Sequence, residues 1–125
     1  CACMDARRSE IYGAIFQASG GKIKRITQDM AISIQNFKEE IEKYESKAIL
    51  VGDGAEMCYN NMLDCKNNEK IELTSEFSRF VSAKNVALAA IENYSEEKLL
   101  NPGELTPEYL RLSQAQRMLL EKNNL

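Results

Sequence analysis

A change of hydrophobic period near residue 33 constrains the fold of this chain most. Before that point the apolar residues come in three short runs typical of β-strands, at residues 1–6, 10–17 and 22–31. After it, four apolar residues recur at helical spacing: Ile34, Phe37, Ile41 and Tyr44. Ser33 can accept the free amides of that helix as its N-cap. Gly20-Gly21 predicts a tight turn. The first third of the chain therefore predicts an antiparallel meander that leads into a helix.

The remainder alternates between the two periods. The pattern predicts a strand at residues 48–51, a helix from Ala55 to about Cys65, a strand at residues 71–73 and a helix capped by Ser82. The last of these carries one apolar stripe: Val86, Ala87, Ala90, Ile91 and Tyr94. Asn101-Pro102-Gly103 breaks the chain, so residues 101–125 are predicted to form a tail that ends in a helical turn or more.

The predicted order is β-β-β-α-β-α-β-α, which implies an α/β fold with a five-stranded mixed sheet and helices on its faces. This is the order of the ribonuclease H-like fold and of one half of the actin-like ATPase fold. A length of 125 residues is that of a single domain. Because the chain begins at Cys1 within a predicted strand, we interpret it as a fragment or a processed piece.

Charge and composition exclude several classes of function. A formal net charge of −3 argues against a stand-alone nucleic-acid binder, which needs a basic face. The sequence has neither an apolar run long enough to cross a bilayer nor a signal peptide, which favours a cytoplasmic protein with no membrane partner. The four cysteines lack zinc-knuckle spacing and there is no His, so reduced, buried thiols are the preferred interpretation of Cys1, Cys3, Cys58 and Cys65.

Two acidic residues at predicted strand ends, Asp5 and Asp53, suggest one enzymatic alternative. Together with a third ligand from Glu39, Glu40 or Glu42, they could hold two divalent metals for phosphodiester cleavage. Capping of turns and helices is the preferred role of these carboxylates. Without His, a Ser or Cys nucleophile would lack its usual base, so nucleophilic catalysis has no support.

Glycines and basic residues allow two kinds of anion contact. The segment 52–55, Gly-Asp-Gly-Ala, resembles a phosphate-cradling turn, although a structural strand-to-helix turn is favoured. Arg7 and Arg8 form one basic point, and Lys22, Lys24 and Arg25 form another. Both could contact nucleic-acid phosphates, but lysines that protect an edge strand explain the second equally well, and Arg7 could pair with Asp5 or Glu10.

Two runs, Asp-Ala-Arg-Arg-Ser-Glu-Ile-Tyr at residues 5–12 and Tyr-Leu-Arg-Leu-Ser-Gln-Ala at residues 109–115, resemble the C-terminal half of the bacterial TsaB (YeaZ) family. The resemblance implies a non-catalytic partner subunit in the synthesis of N6-threonylcarbamoyladenosine in tRNA. Family-motif or partner-contact positions are then Asp5, Arg7, Glu10, Tyr12, Gly52, Gly54, Tyr109 and Arg111. For Tyr109 and Arg111 we prefer a role in docking the tail onto the domain or onto the other half.

The same resemblance implies the partners. These are the catalytic TsaD subunit and, through it, the ATPase TsaE, with tRNA reached only through the complex. No residue of this chain would be catalytic or bind a metal or cofactor, although ATP or ADP could bind at a subunit interface. The resemblance covers half of the family's usual length, so we expect an exposed seam and self-association. The rivals are a divalent-metal nuclease and a half-domain of another actin-like kinase or ATPase.

Overall fold

The structure is a computed structural model, and it describes residues 1–63, 68–95 and 99–123. The chain divides into two compact units, residues 1–93 and 94–125. The first unit contains seven strands in its described part: β1 Ala2–Asp5, β2 Glu10–Ala14, β3 Phe16–Ser19, β4 Lys22–Arg25, β5 Met30–Ser33, β6 Ala48–Leu50 and β7 Ile71–Leu73. Its helices are α1 Ile34–Glu42, α2 Ala55–Leu63, α3 Glu76–Arg79 and α4 Ala83–Glu92, with a 3-10 turn at Asn68–Lys70.

The α/β class is confirmed, but the strands form sheets of three, two and two strands. β2 lies between β1 and β5 and is antiparallel to both, with Tyr12 opposite Met4 and Ala31. β6 and β7 are parallel. A parallel bridge joins Ala2 to Val51, which follows β6 directly. The Cys3 amide donates to the Val51 carbonyl (2.8 Å), and the Val51 amide donates to the Cys1 carbonyl (2.9 Å). β1 is therefore hydrogen-bonded on both sides.

The predicted second and third strands, residues 10–17 and 22–31, are each broken in two. The Ile15 carbonyl accepts from the amides of both Ile26 (2.9 Å) and Thr27 (3.2 Å), so two residues oppose one, as in a β-bulge. The Thr27 hydroxyl accepts the Ile15 amide at 2.9 Å. The bulge separates β3 and β4 as a hairpin of their own, and Tyr12 and Phe16 are only half-buried.

The core lies between the strands and the first two helices. Ile34, Phe37 and Ile41 of α1 are buried, as their spacing predicts, and Phe37 packs so closely on Gly13 of β2 that a Cβ there would lie 2.9 Å from its ring. Tyr44 was expected to continue this stripe, and that expectation is wrong. α1 ends at Glu42 with Lys43 as its C-cap, which turns Tyr44 out of the helical repeat and leaves it exposed.

The later helices differ sharply in burial. α2 begins at Ala55 as predicted and buries Cys58 and Met62, while Leu63 is exposed. Ser82 caps α4 as predicted, but none of its residues is buried. The unit at residues 94–125 contains a 3-10 turn at Pro102–Glu104 and the helix α5 Gln114–Asn123. Within the described ranges, no helix is long and apolar enough to cross a membrane.

Candidate functional site

The turn between β1 and β2 has an unusual backbone. Arg7, Arg8 and Ser9 have φ values of 66°, 58° and 59°, in the left-handed region that residues with a side chain seldom adopt. Two backbone hydrogen bonds close the turn, from the Ala6 amide to the Glu10 carbonyl (3.0 Å) and from the Glu10 amide to the Arg7 carbonyl (3.1 Å). Such a conformation persists only where the surrounding contacts hold it.

The Asp5 side chain supplies one of those contacts. Its Oδ1 accepts the backbone amide of Arg7 at 2.7 Å, and its Oδ2 lies 3.3 Å from the Arg7 guanidinium. Arg7 therefore pairs with Asp5, one of the two acidic partners that the sequence suggested for it. An aspartate that accepts an amide two residues later is a common device for ordering a turn.

The glycine turn lies directly against β1. Gly52 has a φ of 106°, and a Cβ on it would lie 2.1 Å from the Cys3 carbonyl oxygen, so no other residue fits without displacing β1. A Cβ on Gly54 would lie 2.9 Å from the Asp5 amide nitrogen. The Gly54 amide donates to the Cys3 carbonyl at 3.0 Å, and the Gly54 carbonyl accepts the Cys58 amide at 3.0 Å as α2 begins. Close backbone approach explains both glycines.

The two turns are joined by the acidic residues that the nuclease hypothesis needed. Asp53 Oδ1 accepts the backbone amide of Asp5 at 3.3 Å. Asp5 and Asp53 are thus brought together, as their positions at strand ends predicted. Each carboxylate has a backbone amide as a partner, and together they connect the β1–β2 turn to the turn before α2.

The carboxylates of α1 do not join Asp5 and Asp53 as a third acidic group. Glu40 lies 2.5 Å from Lys43, and Glu42 lies 3.5 Å from Lys38, so both pair within their own helix or just past its end. Glu39 is exposed. Among residues 1–63, 68–95 and 99–123, no group of three or more Cys, Asp or Glu side chains is arranged to hold a metal ion.

Two buried thiols lie behind the turns. Cys3 and Cys58 are free and almost fully buried, as predicted, whereas the free Cys1 is half-buried and Cys65 lies outside the described residues. A hydrogen bond between the thiols of Cys3 and Cys58 raises the pKa of Cys3, and burial adds to the rise. The same hydrogen bond lowers the pKa of Cys58. The thiol pair belongs to the core under the glycine turn.

The sequence patterns did not indicate Arg79, which contacts both the glycine turn and α2. Its backbone carbonyl accepts the Gly52 amide at 2.8 Å, and its guanidinium lies 2.6 Å from Glu56 in the first turn of α2. The Arg79 side chain is only 11% exposed. Because it comes 27 positions after Gly52 in the printed sequence and within no recognisable motif, nothing local indicated this contact.

The two basic points are exposed but differ in their contacts. Arg7 and Arg8 are exposed at the tip of the β1–β2 turn. On β4, Arg25 pairs with Asp29 at 2.7 Å and its guanidinium carbon lies 4.7 Å from the centre of the Phe16 ring. Lys22 and Lys24 are exposed on the same strand, which within the described residues pairs with β3 alone. This arrangement fits an edge strand protected by charge.

The remaining motif positions lie apart from the two turns. Glu10 opens β2, and Tyr12 is half-buried in the middle of that strand. Within the unit at residues 94–125, Tyr109 is 84% exposed and Arg111 is half-buried. The run that contains them leads into α5 through a capping box at Ser113. The Gln116 amide donates to the Ser113 hydroxyl (3.3 Å), and the Gln116 side-chain oxygen accepts the Ser113 amide (2.9 Å).

Comparison with known proteins identifies no family for this chain. No protein-family model matches this chain, and no curated protein matches it significantly.

Proposed function

We propose that this chain is the C-terminal half of a TsaB-like partner subunit in tRNA threonylcarbamoylation. Its role is to scaffold a catalytic TsaD-like subunit in the cytoplasm, with a TsaE-like ATPase and tRNA engaged through the complex. In this proposal no residue of the chain carries out chemistry. Any ATP or ADP binds at a subunit interface, outside this half.

The contact between Asp5 and Asp53 carries the proposal. In a two-metal nuclease these carboxylates would face the metals. Here the Asp5 oxygens are directed at the Arg7 amide and guanidinium, and Asp53 Oδ1 accepts the Asp5 amide. That geometry supports a framework role for the Asp-Ala-Arg run, in which it orders a turn and ties it to the glycine turn before α2.

The strand contacts support the finer fold assignment that this proposal needs. If the hydrogen bonds between residues 1–3 and Val51 are counted as a strand pairing, the order across the first unit becomes β5-β2-β1-β6-β7. We propose that these five strands act as a single mixed sheet of the ribonuclease H-like type. β3 and β4 would then be a hairpin extension beyond the bulge at Ile15.

A domain replacement tests the function directly. The C-terminal half of a full-length bacterial TsaB is replaced by residues 1–125, and the chimera is expressed in cells depleted of their own TsaB. We expect N6-threonylcarbamoyladenosine in tRNA, measured by nucleoside mass spectrometry, to recover. The same chimera with Gly52→Val serves as a misfolded control, because its side chain would meet the Cys3 carbonyl. A chimera that folds and binds TsaD but restores no modification contradicts the proposal.

The nuclease alternative is tested on the chain itself. We expect no cleavage of single-stranded or structured nucleic acid in Mg²⁺ or Mn²⁺. Metal-dependent cleavage that is abolished in both Asp5→Asn and Asp53→Asn variants would overturn the scaffold role. Glu45→Gln, an exposed carboxylate away from both turns, is the matched control for loss of one charge.

The role of the tail is tested by reassembly. We expect residues 1–125 to bind the N-terminal half of a TsaB supplied as a separate chain. Tyr109→Ala combined with Arg111→Ala should weaken that binding, measured by calorimetry, more than it lowers the melting temperature of the chain. Normal reassembly by the double variant would restrict these residues to a local role.

A further inference from the structure

The hairpin formed by β3 and β4 is exposed along almost its whole length. Within the described residues its two strands pair with each other alone. Gly20 and Gly21 form its tip, and a Cβ on either glycine would meet no atom within 4 Å. All of residues 17–25 are exposed. The hairpin is therefore free to contact another molecule from its tip to its base.

One face of this hairpin consists entirely of hydrogen-bond donors. Residues that lie opposite each other on paired strands share a face. Gln17 lies opposite Lys24, and Ser19 lies opposite Lys22. Each of these four side chains can donate a hydrogen bond, and none of them is acidic or apolar. We call these four residues the donor face.

The opposite face is different in chemistry. Ala18 lies there opposite Ile23, and Phe16 lies opposite Arg25. The guanidinium of Arg25 is held over the Phe16 ring and pairs with Asp29 at 2.7 Å. The positive charge that remains available to a partner is therefore on the donor face.

The charge of this segment also differs from that of the rest of the chain. Residues 11–28 contain Lys22, Lys24 and Arg25 and no acidic residue, so they carry +3. The whole chain carries −3, which leaves −6 for all other residues. Lys22 and Lys24 have no ion-pair partner in the described part of the chain. Protection of an edge strand requires charge on β4 alone, whereas the donor face extends across both strands.

We propose that the donor face binds the phosphate backbone of tRNA. Lys, Ser and Gln side chains are regular donors to phosphate oxygens, and such contacts position a nucleic acid without reading its sequence. Lys22 and Lys24 lie about 7 Å apart along β4, so they can contact separate phosphates. Because the rest of the chain is acidic, this contact is weak alone and adds to those of the complex. The choice of tRNA among polyanions rests on the function proposed above.

Two glutamate substitutions at neighbouring residues of β3 test which face binds. Ser19→Glu places a carboxylate on the donor face, and Ala18→Glu places the same charge on the opposite face. Both positions are exposed, so neither change disturbs the core. The dissociation constant of residues 1–125 for a fluorescent, unmodified tRNA is measured by anisotropy at low ionic strength. We expect Ser19→Glu to raise it roughly tenfold and Ala18→Glu to raise it less than about threefold.

The salt dependence of binding tests the two lysines. Lys22→Gln combined with Lys24→Gln should reduce the slope of log K against log salt concentration by about two, one for each lost phosphate contact. Lys43→Gln combined with Lys84→Gln is the matched control, because it removes the same charge from exposed positions outside the hairpin. That control should leave the slope unchanged.

Several outcomes would overturn the proposal. They are a wild-type chain with no affinity for tRNA, equal weakening by the two glutamate variants, an unchanged salt slope without Lys22 and Lys24, and binding to phosphatidylserine vesicles in place of tRNA. These measurements need no TsaD. A chain that binds tRNA through the hairpin while its chimera binds TsaD but restores no modification would reject the scaffold function and retain the hairpin contact.

Discussion

Two helices of this protein share the same local design and differ in almost everything else. α1 and α4 begin after a serine, and in each the hydroxyl accepts the amide of an asparagine three residues later, at 3.2 Å. Their lengths are nine and ten residues. Yet α1 buries Ile34, Phe37 and Ile41, whereas α4 buries nothing. The comparison separates what starts a helix from what stabilises it.

The difference follows from the neighbours of each helix. α1 comes directly after β5 and returns across the sheet, where Gly13 leaves room for the Phe37 ring. α4 follows the short helix α3, whose Phe77 is also exposed. In α1 the apolar residues Ile34, Phe37 and Ile41 occupy one side, where Lys38 is also buried, and the other charged residues are exposed or half-buried. In α4 the three polar residues, Lys84, Asn85 and Glu92, lie toward one side, and no residue of the helix is buried.

The largest expected difference in stability comes from removing one aromatic ring from α1 and one from its exposed counterpart α3, the helix before α4. Phe37→Ala leaves a cavity against β2, and we expect the free energy of unfolding to fall by about 3–5 kcal/mol. The matched variant Phe77→Ala removes a ring that is 99% exposed, and we expect a change within about 0.5 kcal/mol. Urea denaturation followed by circular dichroism measures both. Equal losses would mean that α3 is as well packed as α1.

Gly52 tests how firmly the glycine turn is held against β1. Gly52→Ala forces a Cβ toward the Cys3 carbonyl at a positive φ, and we expect a loss of about 1–3 kcal/mol in unfolding free energy. Gly103→Ala is the matched control, since a Cβ there meets nothing within 4 Å. The same denaturation measurement applies. If the two variants are equally stable, the turn must shift freely away from β1.

The serine caps give the most direct comparison of the two helices. Ser33→Ala removes a cap from a helix that belongs to the core, so the whole unit should lose about 1 kcal/mol. Ser82→Ala removes the same bond from an exposed helix, so we expect α4 to fray with little change in global unfolding. Amide hydrogen exchange resolves the two cases, because only the second should accelerate exchange in a single helix. A global loss in both variants would show that α4 unfolds together with the core.

The smallest effect concerns the ion pair between Lys47 and Glu72, which joins the beginning of β6 to β7 at 2.5 Å. The hydrogen bond to Glu72 raises the pKa of Lys47. A raised pKa means that the contribution to stability is complete below the unfolded value of about 10.4 and is lost as the pH rises above it. Melting curves of the wild-type chain and Lys47→Met should therefore differ slightly at neutral pH, and the difference should shrink as the pH rises through the raised pKa of Lys47. A constant difference across that range would exclude the ion pair as its cause.

Local sequence patterns determined several secondary-structure elements and turns of this protein. Alternation and helical spacing predicted the meander, the start of α1 at Ser33, the short strand β7 and the cap of α4, because these depend on residues within one or two turns of each other. The Asp-Ala-Arg run and the glycine pair were also recognisable, since aspartate and glycine have specific backbone uses in turns. Asp5 and Asp53 were expected to meet because strand ends at one edge of a sheet lie close together.

Only the tertiary structure decided which of those elements are covered and how the turns are joined. The bulge at Ile15 depends on Thr27, which must first come opposite it across the hairpin. The contact of Arg79 with Gly52 and Glu56 depends on the path of the chain through β7 and α3. α1 and α4 carry the same capping signal, but burial is a property of two surfaces, and the sequence of one helix specifies only one of them.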